Sequence, residues 1–299
     1  MSNALHGKLN ELMNTPVKDE KEPVPKRGRG IYLLPNLFTT LALFAGFYAI
    51  VAAIDGNFVG AGVAVFVAMA MDGLDGRVAR LTSTQSDFGK EYDSLSDMVS
   101  FGLAPAVVVY QWGVARLTEY SIAWGRIGWL VAFLFAVAAA LRLARFNAAP
   151  PSVGKDWFQG LPSPSAAALV AAFIWLCADH DVGGFQGLVA AFVVTATAGA
   201  LMVSNLRYYS FKSISLAGRV SFAYLLLVPL IIALISIHPP LVLFLLFLGY
   251  AASGPVLWFM ASEPSRIAVL DDEDDLDGDE RHAAGDDNHN DDGTDHRDD

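Results

Sequence analysis

From Ile31 to Ile54 the chain runs for 24 residues without a charged side chain. A helix rising ~1.5 Å per residue over that length crosses the ~30 Å hydrocarbon layer of a bilayer. Further spans are expected at Phe58 to Arg80, whose apolar part ends at Met71 and must continue through Asp72 to cross, at Gly89 to Ala115, and at Ile127 to Asn147, apolar as far as Leu141. The remaining ones are Trp157 to Ala178, Val182 to Leu206, Val220 to Ile237 and Leu241 to Met260. With 54% hydrophobic and 17% charged residues, the chain reads as an all-α integral membrane protein of about eight transmembrane helices. Pro105 should kink the third helix, Arg116 to Arg126 should form a loop, and Pro150-Pro151 should end the fourth.

Charge divides the chain into three parts. The net charge of −11 is concentrated beyond Ala261, where 16 Asp and Glu face 3 Lys and Arg. Residues 31–260 are expected to form the transmembrane body, 1–30 a cytoplasmic tail without a cleaved signal peptide, and 261–299 an acidic, disordered cytoplasmic tail. In this arrangement 18 of the 20 Lys and Arg fall on the cytoplasmic side, Arg116 and Arg126 being the exceptions. Both termini are therefore expected inside, by the positive-inside rule. Cys177 stands alone among the side chains, so no intramolecular disulfide forms. Glu273 to Gly278 faintly resembles a calcium loop but has Ala284 where a closing Glu is needed, and the His282, His289 and His296 spacing suggests no site.

Against this apolar background four carboxylates stand out. Asp72 and Asp75 are three residues apart and Asp93 and Asp97 four apart, so each pair shares a helix face, and the short connection between them makes the two helices antiparallel neighbours. Four acids brought together repel one another unless a cation joins them, and carboxylate oxygens suit Mg²⁺ or Mn²⁺. Gly76, Ala79 and Gly89 keep bulk away from the same faces, while Arg80 and Arg77 add positive charge. Ionisable groups at membrane depth point to function. A cation beside basic side chains at the lipid interface suits phosphoryl transfer, with one carboxylate left to accept a proton.

The pattern Asp72-x-x-Asp75-Gly76-x-x-Ala79-Arg80-x8-Gly89-x3-Asp93-x3-Asp97 resembles the signature of the CDP-alcohol phosphotransferases at every position. That resemblance implies their membrane fold and displacement of CMP from a CDP-linked lipid by a hydroxyl. It also implies metal ligation by Asp72, Asp75 and Asp93, with Asp97 completing the site as base beside a catalytic Asp93. Asp72, Gly76, Ala79, Arg80, Gly89 and, less directly, Asn36 would contact the CDP-lipid. Leu34 to Thr39, Ser100 to Ala106, Leu141 to Asn147, Phe158 to Pro164 and Leu201 to Lys212 further resemble the bacterial membrane-bound phosphatidylserine synthases. This narrower likeness implies CDP-diacylglycerol and L-serine as substrates, a site facing the cytoplasm from the inner membrane, and a homodimer, with no nucleic acid partner.

Arg142 and Arg145, three apart at a helix end, are suited to holding a carboxylate or a phosphate, with Asn147 and Ser100 as companions. Arg207 and Lys212 fit headgroup contacts. A different acceptor, such as glycerol 3-phosphate, would keep the same chemistry. A divalent-cation transporter would also use the acidic pairs, but it leaves Gly76, Ala79, Arg80 and Gly89 without a purpose.

Overall fold

The computed structural model describes residues 33–82, 86–148, 157–209, 229–230 and 233–261. Helix α1, Leu33–Ile54, and helix α2, Phe58–Thr82, form an antiparallel hairpin. Its turn works because Gly56 has φ +77°, which a side chain disfavours, and because Asn57 caps α2 by accepting the Gly60 N–H at 2.8 Å. Small residues let the two backbones approach. Ala45, Ala49, Ala52 and Ala53 of α1 and Ala61, Ala64 and Ala68 of α2 are all buried.

Helix α3, Asp87–Asp97, starts at Ser86, whose hydroxyl accepts the Gly89 N–H at 3.0 Å. Beyond Asp97 the chain stays helical as one span, Asp87–Glu119, as expected for the third helix. A π-helical turn, Met98–Leu103, intervenes before α4, Ala104–Trp112. Pro105 has no N–H and its ring crowds the carbonyl one turn back, so the wider turn ahead of it relieves the conflict. The expected loop from Arg116 to Arg126 is largely helical: a 3₁₀ segment, Val114–Glu119, leads into α5, Ile122–Ala148. The Ser121 hydroxyl accepts the Ala123 N–H at 3.3 Å, which lets α5 begin five residues earlier than the hydropathy suggests.

Trp157 does not open a transmembrane helix. Strand β1, Trp157–Gln159, pairs antiparallel with β2, Arg207–Tyr209, and these are the only strands among the described residues. Between them lie α6, Ser163–Asp179, and α7, Phe185–Val203; α8, Pro239–Ala261, closes the described fold. Gly160, at φ +77°, turns β1 into α6, and a Cβ there would strike the Met202 carbonyl.

Helix α6 is the axis of the bundle. Ala166 to Ala172 and Ile174 are at most 3% exposed, and α2, α4, α7 and α8 pack around them. The outer surfaces are apolar instead: Phe44, Phe47 and Ile54 of α1, Trp129 and Phe133 of α5, and Leu245, Trp258 and Phe259 of α8 are exposed. A small-residue interior inside an apolar exterior is the arrangement of a chain solvated by lipid. Six described helices are long and apolar enough to cross a membrane; α6 is a shorter apolar helix, and most of Val220 to Ile237 lies outside the described residues. The chain is a multi-pass membrane protein.

Candidate active site

The N-terminal end of α1, the C-terminal half of α2, all of α3, the C-terminal end of α5 and the N-terminal end of α6 meet at one end of the bundle. Asp72 and Asp75 come from α2, Asp93 and Asp97 from α3. Asp72, Asp75 and Asp93 each offer a carboxylate oxygen within 4.8 Å of the others. Asp97 stands beside this trio with its carboxyl within hydrogen-bonding reach of Asp72.

Asp75 is only 6% exposed and accepts a hydrogen bond from Thr39 Oγ1 at 2.8 Å. The Ser96 hydroxyl donates to the Thr39 carbonyl at 3.1 Å, so α1 is tied to both acidic helices at one residue. Three carboxylates at this separation fit a cation. Each has a cost of desolvation and mutual repulsion that a hard divalent ion removes, and the donor set is all oxygen. The acidic group can therefore hold a metal ion.

Beside the trio lies a cavity of about 380 Å³, lined by Asn36, Thr39, Asp75, Gly76, Ala79, Gly89 and Asp93 among others. A Cβ on Gly76 would meet open space, and one on Gly89 would press on Ser86 Oγ and Asn36 Oδ1 at 3.1 and 3.4 Å. Asn36, Gly76, Ala79 and Gly89 are thus brought together around one space. Arg80 sits differently: its Nε donates to the Gly76 carbonyl at 2.8 Å, laying the guanidinium back along its own helix at an exposed position.

The second group of sequence candidates lies on the C-terminal end of α5 and on the π turn, and of these Arg142 feels the charge of Asp97. Arg142 Nη1 donates to the fully buried Ser163 hydroxyl at 2.8 Å, and its guanidinium lies in the electrostatic field of Asp97 and of Tyr250 from α8. Its Nε is buried and makes no hydrogen bond among the described residues. Asn147 Nδ2 donates to Ser94 Oγ at 2.9 Å, joining the end of α5 to α3 one residue from Asp93. Arg145 is exposed and donates to Asn205 Oδ1 at 2.9 Å, an oxygen that Gln159 Nε2 also reaches at 3.4 Å.

Ser100 is not among the residues lining this cavity. Its hydroxyl donates to the Ala42 carbonyl at 3.1 Å, and the fully buried side chain packs where α1 has Gly46. It joins helices. Thr39, Ser163 and Tyr250 were not singled out from sequence as site residues. Thr39 falls within the Leu34 to Thr39 stretch that carried a resemblance, but nothing local marks Tyr250, which reaches Arg142 only through packing of α8.

Comparison with known proteins follows the same residues. A family model described as CDP-alcohol phosphatidyltransferase matches residues 32–204. A CDP-diacylglycerol–serine O-phosphatidyltransferase of Helicobacter pylori is 38% identical over 231 residues, covering 76% of this chain and 92% of that protein. A protein of the same name from Mycobacterium tuberculosis is 32% identical over 240 residues, 78% of this chain and 81% of its own. An archaetidylserine synthase of Methanothermobacter thermautotrophicus is 36% identical over 177 residues, 58% and 69% of the two chains. The matched region holds all four aspartates and the cavity beside them, and the chain belongs to the CDP-alcohol phosphatidyltransferase family.

Proposed function

We propose that this protein transfers the phosphatidyl group of CDP-diacylglycerol to the hydroxyl of L-serine, giving phosphatidylserine and CMP. The observation that carries the reading is the carboxylate trio opening on a cavity floored by Gly76, Ala79 and Gly89. The serine phosphatidyltransferases and the archaetidylserine synthase among its relatives share serine while differing in the lipid part, which favours serine as the acceptor.

Asp72, Asp75 and Asp93 would hold a divalent cation, Mg²⁺ or Mn²⁺ by donor hardness, which would supply neutralisation of the negative charge on the donor's pyrophosphate. Asn36 and the small residues admit the cytidine end of the donor. Arg142 receives the serine carboxylate, since its buried Nε has donor capacity left and its guanidinium feels the charge of Asp97. Asp97 accepts the proton of the serine hydroxyl as its oxygen bonds to the lipid-bearing phosphorus. The bond from that phosphorus to CMP breaks, and CMP leaves with the electron pair. Arg145 and Asn147 align the segment that carries Arg142.

The catalytic body is residues 31–260, flanked by the tails 1–30 and 261–299. The charge bias supports an inner-membrane enzyme with its site and both termini towards the cytoplasm, and the family resemblance supports a homodimer. The reading is tested by supplying purified protein with radiolabelled CDP-diacylglycerol and serine, glycerol 3-phosphate or inositol phosphate in separate reactions. Phosphatidylserine and CMP should form with serine. Consumption of the donor with another acceptor, and none with serine, would retire the serine assignment and leave the phosphotransfer intact.

A further inference from the structure

The opposite end of the bundle carries a second group of ligating side chains that the proposed transfer does not use. Helix α6 runs from Ser163, at the aspartate end, to Asp179, so the two ends are separated by ~24 Å at ~1.5 Å per residue. Asp179 and His180 at its C-terminus meet His238, immediately ahead of α8. A carboxylate oxygen and one nitrogen from each imidazole all lie within 4.8 Å of one another. We propose that Asp179, His180 and His238 form a second metal site, specific for a late first-row cation such as Zn²⁺, which joins the end of α6 to the start of α8.

Donor chemistry separates this site from the aspartate trio. Two imidazoles and one carboxylate match Zn²⁺ and its neighbours in the Irving–Williams series, whereas Mg²⁺ prefers oxygen alone. Bond lengths of ~2.0–2.1 Å place tetrahedral donors ~3.3 Å apart, so the three ligand atoms, now within 4.8 Å of one another, have to close in only slightly on an ion.

The backbone holds both sides in place. After α6, Asp181 adopts φ 52° and the Val182 N–H returns to the Cys177 carbonyl at 2.9 Å, a helix-ending motif that fixes Asp179 and His180. His238 precedes Pro239 and Pro240, which restrict its backbone from the other side.

Two further observations point to a ligand between them. The rings of His180 and His238 stack at 5.2 Å with an interplanar angle of 26°, although neither residue is adjacent in sequence. His238 Nδ1 is buried and makes no hydrogen bond among the described residues, an uncommon state for a buried polar atom. Asp179 and His180 are exposed and His238 is half-buried, which leaves an entry path and a fourth position for water.

The test uses the full-length chain in detergent, without an added histidine tag, stripped by chelator and then dialysed against micromolar Zn²⁺ with millimolar Mg²⁺ filling the aspartate site. The parent should retain about one Zn²⁺ more per chain than His180→Asn or His238→Gln, each weakening binding by more than about tenfold. Zn²⁺ should raise the Tm of the parent and not of the variants. His6, His282, His289 and His296 are common to all these proteins and cannot produce the difference. CMP release in Mg²⁺ reports whether the variants remain folded. Equal Zn²⁺ binding by the parent and a chain carrying both His180→Asn and His238→Gln overturns the site. So does a parent that, loaded with Co²⁺ under the same conditions, lacks the visible absorption of a four-coordinate ion, a result independent of any variant.

Discussion

Thr39 shows how much of the acidic site lies outside the acidic residues. It donates to Asp75 across 36 positions of sequence, and its carbonyl receives Ser96. A partner that orients a metal-binding carboxylate typically accounts for 10–100-fold in metal affinity. Thr39→Val keeps the volume and removes the donor, so the Mg²⁺ concentration that half-saturates CMP release should rise by roughly that factor. An unchanged Mg²⁺ titration would detach Thr39 from the site. Asp97 carries a different expectation: with the proposed role of proton acceptor, Asp97→Asn should lower kcat by about 10²–10⁴ while the KM for CDP-diacylglycerol stays close to the parent's. A parental rate in that variant would move the base elsewhere. The four aspartates were legible because helical spacing is a local property. Thr39, Ser163 and Tyr250 were not, because each acquires its neighbour through packing between distant segments.

At the level of elements, the helices were legible from their apolar length and their irregularities were not. Pro105 announces an irregularity, but its form, a π turn with Ser100 turned onto the Ala42 carbonyl of α1, is seen only in the folded chain. The turn lies directly after Asp97, so its contact with α1 bears on the site. A Cβ at Gly46 would overlap the Ser100 side chain and come within 2.7 Å of its Cα. Gly46→Ala should therefore destabilise the protein by about 1–3 kcal/mol and lower phosphotransfer disproportionately, by pushing the π turn and Asp97 away from α1. Thermal unfolding and CMP release measured on the same preparation test this, and a variant with parental values for both would mean that α1 and the π turn are not rigidly joined. The β1–β2 ribbon escaped the hydropathy reading because Trp157 and Phe158 extend an apolar run. Gly160 and Pro162 were the local signs that the helix starts later.

For the whole molecule, the inside-out distribution of side chains and the axial position of α6 put the aspartate trio and the Asp179, His180 and His238 group at opposite ends. The sequence made the lipid-solvated character plain through its uncharged runs. It did not reveal that α6, apolar from Ala166 to Ala178, is largely enclosed by protein, since a buried helix and a lipid-facing helix of this length share the same composition. If the charge bias sets the orientation, one end faces the cytoplasm and the other the far side of the membrane. Cys177, buried and 5% exposed, is the only native thiol. Replacing it with Ala leaves a background on which single cysteines report sidedness. Gln186 is exposed one residue into α7 near the far end, and Ala148 is exposed at the last residue of α5 near the aspartates. In intact cells made permeable only at the outer boundary, Gln186→Cys should react with a membrane-impermeant maleimide. Ala148→Cys should react only after the inner membrane is opened. The reverse pattern would turn the molecule over and place the carboxylate site on the outer face, where a cytoplasmic supply of CDP-lipid and serine would not reach it.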